Sequence, residues 1–188
     1  MNNNIKTILV IVGIAIFIIF TNSDGGFERD ENGSIISGGN ITSDTLRVGD
    51  CFNDLDPEAM KRLLEEDNEE SEIEINYVEA LPCSMPHTNE VYADSVTLFD
   101  GFDSYPSEDD LIDRVRSLCL PEGFKYLGID ESLRGEEKFL VARAAFPDFY
   151  VYLFPLKSSW DRGSRKISCV IYTELPREGS ARNLLIKD

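Results

Sequence analysis

The chain has 188 residues, 42% of them apolar, and carries 35 acidic against 18 basic side chains, a formal net charge of −17. That balance argues against nucleic-acid binding, where lysine and arginine must neutralise phosphates, and against docking on anionic lipid headgroups. It suits solubility, a cationic partner or loosely held divalent ions, and the simplest account of the acids is a solvated surface.

Residues 1–23 read as a signal anchor. Lys6 is the only charge before thirteen apolar residues, Ile8 to Phe20. With Thr7 and Thr21 a helix there would reach roughly 22 Å, short of the ~30 Å hydrocarbon core, the length of a signal-peptide core or a short anchor. Lys6 precedes the run, while Asp24, Glu28 and Asp30 follow it. The N-terminus is therefore expected in the cytoplasm and the bulk of the chain outside, as a single-pass membrane protein. Thr21 and Ser23 are small enough for a cleavage site, although no Ala-x-Ala occurs, so secretion after cleavage is the alternative. Residues 24–45, with Gly25, Gly26, Asn32, Gly33, Gly38, Gly39 and Asn40, are expected to be a flexible extracytoplasmic linker, since this composition does little to offset its ordering entropy.

Residues 46–188 are expected to form one α+β domain: a small antiparallel sheet with one main helix packed on it, closed by two disulfides. Asp56 as N-cap and Pro57 as first helical residue predict a short helix to about Glu66. An acidic stretch follows, and ten acids lie between Asp54 and Glu74 without the oxygen spacing of a calcium loop. Alternation from Ile73 to Tyr77 predicts a strand continuing toward Leu81, and Glu90 to Leu98 reads as a second. Ser107-Glu108-Asp109-Asp110 resembles a capping box ahead of Leu111, Ile112, Val115, Leu118 and Cys119 at helical spacing, with Gly123 expected to end that helix. Glu136 to Ala145 fits helix or strand. Phe149 to Phe154 and Lys166 to Thr173 read as strands of a hairpin joined by turn-forming residues 157–165.

Four cysteines, Cys51, Cys83, Cys119 and Cys169, are an even set in a chain expected to be exported, and so read as two disulfides. Zinc would usually show cysteines a few residues apart, and here the closest two are 32 apart. Of the three pairings, Cys51–Cys83 with Cys119–Cys169 is favoured because each joins segments that a compact fold can place side by side.

Leu46-Arg47-Val48-Gly49-Asp50-Cys51-Phe52 comes first in an ordered set of stretches. The others are Cys83, Pro86, His87, Glu90 and Val91; Cys119, Phe124, Tyr126 and Gly128; then Pro155, Trp160, Gly163, Arg165, Cys169 and Gly179-Ser180. Taken together, from Leu46 to Ser180, they resemble the septum formation family of actinobacterial-type exported proteins. The resemblance implies a bacterial extracytoplasmic domain behind one membrane segment or signal, associated with the cell envelope or with division. Two departures stand out: Ser164 where the family often has an acid, and a longer acidic insert between Cys51 and Cys83.

No catalytic residue is assigned. His87, the only histidine, could join Glu90 to hold a metal or activate water, but two ligands make a poor metal site, and a strand-capping or disulfide-packed histidine is the simpler reading. Trp160, Arg162 and Arg165, with Lys166, form a cationic, aromatic spot suited to a sugar or phosphate of the wall; the same residues fit a turn whose tryptophan folds over the core. The function read from the sequence is thus a membrane-anchored binding domain for an envelope protein or wall component, without a cofactor. The alternative is an exported hydrolase using His87 and Glu90.

Overall fold

A computed structural model describes residues 27–55, 77–155 and 157–186. The predicted anchor and the predicted helix from Asp56 lie outside the described residues, as does the start of the strand expected from Ile73. No helix among the described residues is long and apolar enough to cross a membrane.

The protein is α+β. Among the described residues six strands form one sheet: β3 (Gly39–Thr42), β4 (Cys51–Asp54), β5 (Tyr77–Leu81), β6 (His87–Ser95), β7 (Asp148–Leu153) and β8 (Ile167–Arg177). Their order is β3-β5-β4-β6-β8-β7, and every neighbouring pair is antiparallel. β1 (Glu28–Arg29) and β2 (Ile35–Ser37) pair as a separate small hairpin. The predicted hairpin of the two C-terminal strands is present as β7 and β8.

Three helices occur among the described residues, where one main helix was expected: α1 (Glu108–Leu127), α2 (Gly135–Ala145) and the short α3 (Lys157–Asp161). Ser107 caps α1 as its sequence predicts, its hydroxyl accepting from the Asp110 N–H at 3.2 Å. Gly123 does not end this helix. It is buried within α1, where an added Cβ would lie 3.2 Å from the Tyr92 ring, so it serves close packing against β6. The terminator is Gly128, whose φ of +73° is the left-handed cap that glycine adopts without steric cost. Glu136 to Ala145, ambiguous in sequence, is helical; Glu137 closes the first turn of α2 by accepting from the Arg134 N–H at 2.8 Å.

The main core lies between the sheet and the helices and includes Tyr92, Phe99, Val115, Leu127, Phe149, Trp160 and Ile171. A smaller cluster, Leu46, Phe52, Val78, Val91 and Val170, forms a second core. Cys119–Cys169 ties α1 to β8 inside the main core, and Cys51–Cys83 ties β4 to the loop before β6; both pairings are those the sequence favoured.

The expected flexible linker is corrected from residue 27 onward. β3 is an edge strand of the main sheet, with Ile41 packed on the second core. The preceding hairpin is held by a buried ion pair: Arg29 donates to both carboxylate oxygens of Asp50, at 2.6 and 2.5 Å, and to the Gly33 carbonyl at 2.6 Å. Asp50 also accepts the Arg47 N–H at 2.7 Å. Composition suggests a coil because it counts glycines and asparagines; it does not register one arginine matched to an aspartate 21 residues away. Arg29→Ala is expected to cost roughly 3 kcal/mol, because it strands a buried carboxylate. Amide exchange over residues 27–37 should then rise while β6 and β8 stay protected; unchanged exchange there would contradict the pinning role.

Candidate functional site: a buried polar centre at Glu90

β6 carries an acid among apolar neighbours. Strand alternation puts Glu90 on the same face as Tyr92, toward α1, and its side chain is fully buried. Four donors meet it. Tyr126 of α1 donates to Oε1 at 2.6 Å, and the Ser180 hydroxyl donates to the same oxygen. The Ala181 N–H donates to Oε2 at 2.7 Å, and Arg177 at the end of β8 forms an ion pair with that oxygen. A carboxylate offers about four lone-pair directions, and here all are used. The network joins β6, α1, β8 and the C-terminal segment. That segment is further held by Gly179 N–H to the Cys83 carbonyl at 2.6 Å, Asn183 N–H to the Tyr126 carbonyl at 2.8 Å, and Leu185 N–H to the Leu127 carbonyl at 2.9 Å. Burial, then the Glu90 charge and hydrogen bond, push the Tyr126 hydroxyl up to about 12, so it remains a donor at neutral pH.

His87 begins β6 and is also fully buried. Its Nδ1–H donates to the Met85 carbonyl at 2.8 Å, which leaves the lone pair on Nε2. Nε2 has no hydrogen-bond partner among the described residues. A ring nitrogen of His87, Cys51 Sγ and a Glu90 oxygen lie within 4.8 Å of one another, so the histidine packs against the disulfide. Burial lowers its pKa and the nearby Arg177 charge acts in the same direction, against the Met85 carbonyl and the Glu90 charge.

A pH dependence follows for the disulfide-bonded protein. With the folded pKa depressed, the unfolded chain binds the proton first as pH falls below about 6.5. Stability should therefore be lost from about pH 6.5 downward, until the folded protein also protonates. Because this is the only histidine, the slope just below pH 6.5 should vanish in His87→Gln; unfolding curves with equal slopes in both proteins would contradict the assignment.

His87 and Glu90 lie close together, but not as a free acid–base pair. Glu90 has no lone pair left to take a proton from water or to hold a metal without giving up a donor. The clefts among the described residues include a groove of about 580 Å³ between α1 and α2, lined by Pro121, Phe124, Lys125, Ile129 and Lys138 among others, and one of about 210 Å³ between α2 and β7. Neither is lined by His87 or Glu90.

Of the two readings of the Trp160 spot, the structure has the tryptophan folded over the core and not the open cationic, aromatic surface. Trp160 lies in α3 with only 2% of its surface exposed, edge-on to Phe99 and Tyr105 and against Phe154. Arg165 covers the ring at 3.6 Å from its centroid and donates to the Trp160 carbonyl at 2.7 Å. Arg162 donates to the Ser159 hydroxyl at 3.2 Å, and Lys166 is turned to the Asp44 and Leu46 carbonyls and to Asp94. The aromatic platform is therefore part of the core, because a lone tryptophan gains more from burial among three rings than from a wet turn. The four residues do not form an open stacking surface.

Arg29, Asp50, Tyr126, Arg177, Ser180 and Ala181 were not assigned as site residues from the sequence. A usable signal was the alternation of β6, which turns Glu90 inward and so demands partners. Cys51, Cys83, His87, Glu90, Tyr126 and Gly179-Ser180, distant in sequence, lie together in this region. No family model, curated protein or solved structure matches the chain.

Proposed function

We propose that the protein is a membrane-anchored extracytoplasmic interaction domain of the bacterial cell envelope, of the septum-formation type, and that its polar centre is structural. The observation that supports this most is that all four cysteines are joined as two disulfides, a condition that belongs to an oxidising compartment. The apolar run behind Lys6 and the acids that follow it supply the anchor and its orientation.

The interaction surface that remains from the sequence reading is the rim of the Cys83–Glu90 block. Ser84, Met85 and Pro86 are exposed in the loop before β6. At the same end of the sheet His87 pairs with Arg177 while Asn89 pairs with Tyr172, so residues 173–176 bulge outward and carry Leu175 at 78% exposure. Exposed apolar side chains beside an acidic surface suit a protein partner with a cationic rim. Crosslinking the intact protein in its own envelope should capture a defined partner, and Met85→Asp with Leu175→Asp should abolish the capture while the fold persists. Capture that is unaffected by the double substitution, or nothing above background for the parent chain, would contradict the proposal.

A further inference from the structure

We propose that the Cys51–Cys83 bond is the closed form of a metal site: once it is reduced, Cys51, Cys83 and His87 hold one zinc-class divalent ion. Two of the three ligands already lie together, and Cys83, bonded to Cys51, has to turn toward His87 once the bond opens. Cys51 Sγ and a His87 ring nitrogen lie within 4.8 Å of each other, both residues are fully buried, and His87 Nε2 is a lone pair without a partner. The opposite nitrogen is fixed by the Met85 carbonyl at 2.8 Å, the outer hydrogen bond that orients a metal-bound imidazole. Tetrahedral zinc, with bonds of about 2.3 Å to sulfur and 2.0–2.1 Å to nitrogen, spaces its ligand atoms by roughly 3.3–3.8 Å. Cys51 and His87 therefore need to close by no more than about an ångström and a half to reach that range.

Cys83 supplies the third ligand and the way in. It is half-buried, and the three residues after it are exposed, so water or a further donor can reach the fourth position. Two thiolates balance the dication, so no net charge is left in the interior. Glu90 stays outside the coordination sphere, its oxygens engaged by Tyr126, Ser180, Ala181 and Arg177.

The opening step is exchange with a dithiol reductant. Its thiolate attacks the half-buried Cys83 sulfur, the Cys51–Cys83 bond breaks, and Cys51 leaves as a thiolate. The second thiol of the reductant then resolves the mixed disulfide. The reductant is oxidised to its own disulfide, two electrons pass to the cysteine pair, and the pair's two protons are released when the ion binds. Cys119–Cys169 is fully buried in the main core and holds the scaffold meanwhile.

The inference is independent of the envelope partner. It is tested on the purified full chain in detergent, reduced with a phosphine without oxygen, with cobalt(II) as the probe and zinc as the competitor. Reduced protein should bind about one cobalt, with thiolate charge-transfer absorption and the visible bands of tetrahedral cobalt, and zinc should displace it. Oxidised protein should show neither. His87→Ala and, separately, Cys83→Ser should each weaken binding at least about 100-fold, and peptide mapping should find Cys119–Cys169 intact. Reduced parent protein without the cobalt–thiolate absorption, folded or not, overturns the proposal. So does equal binding by the oxidised form, or cobalt affinity unchanged in either variant.

Discussion

Glu90→Ala is expected to destabilise the protein by about 3–5 kcal/mol, the range for removing one partner of a buried ion pair. The substitution leaves Arg177 without its carboxylate, with an arginine side chain only 18% exposed, and takes the acceptor from the Tyr126 hydroxyl, the Ser180 hydroxyl and the buried Ala181 N–H. For a chain of this size that should lower the melting temperature by roughly 10 °C or more. Glu90→Gln should cost less, since it retains the shape and one acceptor oxygen. Adding Arg177→Met to Glu90→Leu should recover part of the loss, because no charge is then buried alone. Chemical unfolding of the four proteins decides the matter. A cost below about 1 kcal/mol for Glu90→Ala would mean that water reaches the carboxylate and that the centre is not the clamp described.

Removing Cys119–Cys169 as Cys119→Ala with Cys169→Ala is the second large effect expected. The bond spans 50 residues, and the loop-closure entropy it removes from the unfolded chain corresponds to about 4 kcal/mol. Both sulfurs also lie in the main core beside Val115, Ile167 and Ile171, so the pair leaves packing defects that add to the entropic loss. Unfolding in denaturant under oxidising conditions should show a clear fall in midpoint with far-ultraviolet circular dichroism retained below it. An unfolding free energy within about 1 kcal/mol of the parent protein would indicate that α1 and β8 are held by apolar contact alone.

What was legible in the sequence was local. Ser107 and the acids after it mark the start of α1 because a cap and its N–H lie three residues apart. Alternation marked the strand that ends at Leu81, aromatic and β-branched runs marked β7 and β8, and the cysteine pairing followed from which segments a compact fold can bring together. The reading lost accuracy where the deciding contact is distant. Gly123 looks like a helix end until Tyr92 of β6 is placed against it, and the true end at Gly128 is set where Asn183 and Ile186 pack. The hairpin at residues 27–37 looked like a coil because Asp50 lies beyond it in the chain. The centre at Glu90 draws on Tyr126, Arg177, Ser180 and Ala181, between 36 and 91 residues away, and no local pattern registers such a convergence. Trp160 was open to two readings because its turn-like neighbours are polar, and the three rings against it decide for the one in which it folds over the core.

The same geometry separates the two disulfides by role. Cys119–Cys169 is sealed in the core, whereas Cys51–Cys83 sits between a buried histidine and an exposed loop. One supports the fold; the other can be reached.

Sidedness is the claim on which the rest stands, and thiol labelling tests it directly. Intact cells are treated with a reductant and then with a maleimide that cannot cross the membrane. The account predicts that the half-buried Cys83 is modified without lysis and that no cysteine is modified before reduction. Modification only after the cells are broken would place the domain on the cytoplasmic side and contradict it.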